Sequence, residues 1–102
     1  MEITSTTNGT TTTIALNGWL DTNSAPSFSA ELEKLDPACE ALVLDFTELE
    51  YISSAGLRSL VVAHKKVSGN LTIKNASPEV MQVLHMTGFD KRLNLALQSH
   101  PT

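Results

Sequence analysis

The chain has a single cysteine, Cys39. This excludes an internal disulfide and a cysteine-based zinc site. It has no basic cluster: Lys65-Lys66 and Lys91-Arg92 are isolated pairs, and the formal charge is −4. A grouped positive surface is what neutralises phosphates, so nucleic acid is not an expected partner. No apolar run approaches the ~20 residues that a membrane helix needs, so no direct membrane insertion is expected. The opening Met1-Glu2-Ile3-Thr4 lacks the basic region and apolar core of a signal peptide. A reducing cytoplasm is the resulting expectation. Gly56 stands alone, so there is no glycine-rich phosphate cradle. No His/Asp/Glu pair has metal-ligand spacing, and neither metal nor cofactor is expected.

What is present fits one domain. The 102 residues suffice for a core that hides roughly two-thirds of the unfolded chain's surface. A single domain is expected over residues 1–102, with 98–102 a fraying tail. Residues 1 to 20 read as a β-hairpin around Asn8-Gly9, a pair suited to a type I′ turn with positive φ at both central positions. Threonine-rich flanks suit strands. The arm Thr12-Thr13-Ile14-Ala15-Leu16 is the more apolar and is expected to run through the sheet. Asp21 to Ser24 offers helix caps, and Pro26 fits a first helical turn. Phe28, Leu32 and Leu35 then recur at helical spacing, and Asp36-Pro37 stops that helix.

Ala41 to Phe46 is a short apolar run, the pattern of a strand buried on both faces. A polar segment, Thr47 to Tyr51, follows. Ser53 and Ser54 then precede a helical apolar period of Leu57, Leu60, Val61 and His64, which predicts a helix from about Ser54 to Val67 with a stop at Gly69-Asn70. Leu71 to Lys74 is the next strand. Ser77-Pro78-Glu79 opens a third helix with the apolar stripe Val80, Val83, Leu84, ended by Gly88. Segment 90–98 reads as either strand or helix, because Leu93, Leu95 and Leu97 alternate while Asp90 to Gln98 also suits a helix. The expected class is α/β: a mixed, mostly parallel sheet of four to five strands with an N-terminal hairpin and three or four helices packed on it.

This order puts two hydroxyls at the positive end of a helix, just past the C-terminal end of a strand. Open α/β sheets present function there, and helix N-termini accept anions. A serine hydrolase is a poor fit. His64 lies on the same helix, ten residues beyond Ser54 and so ~15 Å along its axis. His85 belongs to another helix and His100 to the tail. A nucleophile needs a base within hydrogen-bond reach, and the Gly-x-Ser-x-Gly elbow is absent. The expectation is not an enzyme. The serine suits a substrate role better, since a phosphate there meets the favourable end of the helix dipole. Arg58, one turn after Ser54, is placed to lean back toward it. Helix capping alone is the plainer explanation of Ser53-Ser54.

Leu44-Asp45-Phe46 followed by Tyr51-Ile52-Ser53-Ser54-Ala55-Gly56-Leu57 resembles the signature of STAS domains, the anti-sigma factor antagonists of bacteria. Gly18-Trp19-Leu20-Asp21 resembles that family's strand end before its first helix. Ser77-Pro78-Glu79-Val80 through Leu84, with Thr87-Gly88-Phe89-Asp90, resembles its closing helix and turn. The family's usual core is Asp-Ser-Ser/Ala-Gly-Leu, with the serine after the Asp phosphorylated. Aligned on Gly56 and Leu57, that serine is Ser54, and Ser53 stands in place of the Asp. The resemblance implies Ser54 as the phosphorylation site, with Ser53 a minor candidate. It implies partner contacts at Asp21, Thr22, Asn23, Ser53, Ser54 and Arg58. It also implies partner switching. The unphosphorylated protein binds an anti-sigma factor serine kinase and frees the sigma factor, ATP-dependent phosphorylation ends that binding, and a metal-dependent serine phosphatase restores it. A monomer free to exchange partners is the default expectation. Similar single domains serve as docking subunits of lipid-transport ATPases or of stress-sensing assemblies, and that role is the alternative.

Overall fold

The protein is described here by a computed structural model, which covers residues 1–88 and the strand backbone of residues 94–96. The chain runs β1 (Glu2–Asn8), β2 (Thr11–Leu20), α1 (Ala25–Glu33), β3 (Ala41–Ile52), α2 (Ser54–Lys66), β4 (Leu71–Lys74), α3 (Pro78–Met86) and β5 (Asn94–Ala96). The sheet order is β1-β2-β3-β4-β5. β1 and β2 pair antiparallel, and every other pairing is parallel. This is the expected mixed α/β sheet, with a strand at 94–96 where the sequence left strand and helix open. Phe89, Asp90, Lys91, Arg92, Leu93, Leu97 and residues 98–102 lie outside the described residues.

The hairpin turn differs in one detail from its expectation. Asn8 pairs with Thr11, so the two central residues are Gly9 and Thr10, not Asn8 and Gly9. Gly9 has φ 65° and Thr10 does not share the positive region. Glycine at the first central position is the requirement of a type II′ turn, which matches strand twist as well as type I′ does.

β3 departs further. The run from Ala41 to Phe46 is not buried on both faces. Leu42, Leu44 and Phe46 are buried, while Ala41, Val43 and Asp45 are half-buried. The buried apolar side chains of α1, α2 and α3, Phe28 and Leu32, Leu57, Leu60 and Ala63, Val80 and Leu84, join one cluster with Ile14, Leu16, Leu42, Leu44, Leu71 and Ile73. One sheet face therefore carries the core, and the other carries the row Ala15–Asp45–Lys74 and the row Thr13–Val43–Thr72. The polar segment Thr47 to Tyr51 is not a connector but the second half of the strand. Two register shifts against β2, between Ala15 and Asn17 and between Gly18 and Trp19, insert extra residues on β3. Bulges of this kind re-aim side chains. They turn Leu49 and Ile52 inward at a spacing of three, where an unbroken strand would need two.

The helices carry their sequence signals with small corrections. α1 stops at Glu33 with Lys34 as its C-cap, so Leu35 lies past the helix yet still packs against the core. α2 ends at Lys66 with Val67 as its C-cap, followed by Ser68 and Gly69 at positive φ, and the Gly69 N–H donates to the His64 carbonyl at 2.8 Å. This satisfies a last-turn carbonyl. In α3 the Ser77 Oγ accepts from the Val80 N–H at 3.2 Å, with Pro78 in the first turn. No helix among the described residues is long and apolar enough to cross a membrane.

On the uncovered face, partial burial pushes the Asp45 carboxyl up. Hydrogen bonds from the Thr47 hydroxyl and N–H, the Asn75 amide and the Lys74 charge outweigh this and hold it below its ordinary value of 3.8. A depressed carboxyl adds stability that is present above the unfolded pKa and is lost as pH falls through the folded one. Urea titrations from pH 7 downward should therefore find wild type more stable than Asp45→Asn at neutral pH. The gap should close as pH drops below 3.8.

Candidate functional site

The site is built where β2 and β3 end side by side. Leu20 pairs with Ile52, and the Ser53 N–H extends the ladder by donating to the Leu20 carbonyl at 2.9 Å. Asp21 and Ser53 are thus the first residues beyond two paired strand ends. Each strand then turns into a helix, β2 into α1 through Asp21–Ser24 and β3 into α2 with no intervening loop.

The Asp21–Ser24 turn is tied internally. One Asp21 carboxylate oxygen, Oδ1, accepts from the Asn23 N–H at 3.0 Å and the Ser24 N–H at 3.1 Å. The Ser24 hydroxyl donates to the Trp19 carbonyl at 2.6 Å and accepts from the Asp21 N–H at 2.9 Å. Ser24 is the N-cap of α1 by position, yet its side chain does not cap the helix. Asp21 closes the turn instead, an Asx-type arrangement that leaves Thr22 and Asn23 exposed at its tip.

The two serines of α2 divide the work. Ser53 has extended backbone (φ −100°, ψ 179°), and its Oγ accepts from the Gly56 N–H at 3.4 Å. It is the N-cap and is half-buried. Ser54 is the first helical residue, exposed, and its hydroxyl makes no hydrogen bond within the described protein. Capping therefore explains Ser53 and leaves Ser54 unexplained. Arg58, exposed four residues on, stands on the same helix face and forms no ion pair among the described residues.

Gly56 fixes where this helix begins. A Cβ there would lie 2.7 Å from the Leu20 carbonyl oxygen, 2.8 Å from Ile52 Cγ1 and 2.9 Å from Leu20 Cγ. The first turn of α2 thus rests directly on the two strand ends, at a distance only glycine permits. The sequence marks Gly56 only as a lone glycine within the motif. Its close approach needs coordinates.

The structure brings Asp21, Ser53 and Ser54 to one rim, with Thr22 and Asn23 at the adjoining tip and Arg58 one turn up α2. His64, half-buried on α2, stays ten residues from Ser54, ~15 Å by helical rise. Among the described residues no group of three His, Cys, Asp or Glu side chains is arranged to hold a metal. Sequence reasoning passed over an aromatic pair. Trp19 and Tyr51 are paired in register, 55% and 46% exposed, with ring centroids 5.5 Å apart. The signal was available for Trp19, which is out of phase with the buried Leu16 and Leu20. The bulge before Tyr51 hid the other half.

Fold and site define a two-layer α/β module that displays a hydroxyl at a helix start beside a tied acidic turn. The chain belongs to the STAS domain family: the family model described as "Mlab, STAS domain" matches residues 3–98. It is 36% identical to BtrV of Bordetella bronchiseptica, named as an anti-sigma factor antagonist, over 72% of this chain and 67% of that one. Solved structures share the fold at lower identity. A Thermotoga maritima protein described as an anti-sigma factor antagonist has a TM-score of 0.84 at 17% identity, covering 95% of this chain and 86% of its own. The Bacillus cell fate determinant SpoIIAA in its phosphorylated form has a TM-score of 0.72 at 18% identity, covering 95% and 93%.

The division between the serines has a direct test in urea denaturation. Ser53→Ala should cost about 1 kcal/mol through the lost cap, and Ser54→Ala should stay within about 0.5 kcal/mol of wild type. Gly56→Ala should cost about 1–3 kcal/mol, because a backbone carbonyl cannot move aside as a side chain can.

Proposed function

We propose that this protein is a phosphorylatable anti-sigma factor antagonist, a cytoplasmic binding switch and not an enzyme, formed by a single STAS domain over residues 1–102. Unphosphorylated, it binds an anti-sigma factor serine kinase and so frees the sigma factor. The kinase then transfers the γ-phosphoryl group of ATP to the Ser54 Oγ, which gives up its proton as ADP leaves. The dianion ends the interaction, and a metal-dependent serine phosphatase hydrolyses the ester to restore Ser54.

The observation that carries this reading is the exposed Ser54 hydroxyl, without a hydrogen-bonding partner among the described residues, at a helix start already capped by Ser53. The helix dipole and Arg58 favour a phosphate there, so modification leaves the fold in place. The docking surface changes instead. A bulky dianion replaces a small hydroxyl, and a partner seated on that spot meets charge repulsion or an unpaid desolvation cost. Asp21, Thr22, Asn23, Ser53 and Arg58 complete the contact surface. Ser53 is at most a minor phosphorylation site, because its oxygen is engaged as the cap. The resemblance of BtrV, named as an anti-sigma factor antagonist, supports the reading, as does the phosphorylated form of a structural neighbour.

Incubation with a cognate kinase and ATP should add one phosphate, and Ser54→Ala should abolish it. Label that persists in the alanine variant overturns the assignment. Co-purification with a transport ATPase, with no kinase bound, would instead favour a docking-subunit role on the same surface.

A further inference from the structure

β3 is twelve residues long and β4 only four. Pairing with β4 stops at Asp45, so the rest of β3 runs past the edge of β4 with α3 packed against it. Between the end of β3 and α3 lies a cavity of about 160 Å³, lined by Glu50, Tyr51, Ile52, Glu79, Val80 and Val83. Its floor is apolar, from Ile52, Val80 and Val83. Glu50 and Glu79 stand at its lips, both exposed. Neither carboxylate has an ion pair or side-chain hydrogen bond within the described protein. Tyr51 forms one wall and carries the ring of Trp19 beside it.

We propose that this cavity is a docking point for a single arginine side chain of the protein partner. An arginine combines an aliphatic stem with a planar cationic head. The apolar floor takes the stem, Glu50 and Glu79 receive the guanidinium, and the Tyr51 face stacks on it. Exposed tryptophan and tyrosine beside such an anchor are the residues that dominate interface energetics. The occupant is cationic because Glu50 and Glu79, which have no ion pair among the described residues, both border one small apolar cavity. An anionic lipid surface would be repelled by the same groups. The cavity shares no lining residue with the proposed contacts at the Ser54 rim, so it supplies affinity that phosphorylation does not remove. It rests on the proposed function only in assuming that a protein partner docks at this end of the sheet.

The test uses the isotope-labelled full chain and a short glycine-serine peptide bearing one arginine, followed by NMR. The arginine peptide should give saturable shifts at the Trp19 indole N–H, the Tyr51 ring and the Val80 and Val83 methyls. The same peptide with citrulline should give none. A Glu50→Gln/Glu79→Gln double variant should bind about tenfold more weakly, as two carboxylate contacts are lost. Glu48→Gln, an exposed change on the same strand, should bind as wild type. Equal shifts with citrulline, or unchanged affinity in the double variant, overturn the proposal. So do the same shifts on raising protein concentration alone, which would mark a self-association surface. The response should be the same in Ser54→Ala. A null peptide result alongside kinase labelling of Ser54 removes only the anchor, and a peptide response without labelling removes only the switch.

Discussion

The contact between the first turn of α2 and the ends of β2 and β3 governs the rest of this structure. Gly56 lies against the Leu20 carbonyl where a methyl group would not fit. The Ser53 N–H reaches that same carbonyl. Backbone meeting backbone leaves little freedom to slide. The helix therefore starts at one place, and its first residue projects from the sheet rim at a fixed position. Core packing of Leu57, Leu60 and Ala63 then holds the remainder of α2 on the sheet.

From that constraint the chemistry of the site follows. Two adjacent serines at a helix start have different fates, because one is a cap and the other is the first helical residue. The capping oxygen is half-buried and occupied, and the next one is exposed and unoccupied. The positive end of the helix lies under the exposed hydroxyl, with Arg58, which forms no ion pair among the described residues, one turn away. The neighbouring turn from Asp21 to Ser24 is braced by its own hydrogen bonds rather than by α2. A charge added at Ser54 thus has a favourable local field and no buried network to disturb. Its effect is felt by whatever docks there.

Much of this was legible in the residues themselves. Ser77-Pro78 marked the α3 start, Gly69 the α2 stop and the Ser53-Ser54 pair the helix at the rim, because caps and breakers act locally. The Asn8-Gly9 pair located the hairpin, and the apolar run from Ala41 to Phe46 located the first half of β3. What the residues concealed was non-local. Whether an apolar run is covered on one face or two depends on where the helices pack, and here α1, α2 and α3 share one cluster. The bulges of β3 disguised Thr47 to Tyr51 as a connector, because Leu49 and Ile52 turn inward at an irregular spacing. The same disguise hid the exposed pairing of Tyr51 with Trp19. Which serine caps and which is displayed depends on a single-residue helix boundary, finer than spacing resolves.

A dianion at residue 54 is expected to alter the surface and not the architecture. The most direct measurement is the amide NMR spectrum and urea midpoint of protein carrying phosphoserine installed site-specifically at position 54, against the unmodified chain. Shift changes should be confined to the rim at residues 20–24 and 53–58, with stability within about 0.5 kcal/mol of the unmodified chain. Shift changes spreading through the β2–β3 core, or a large fall in the midpoint, would contradict it.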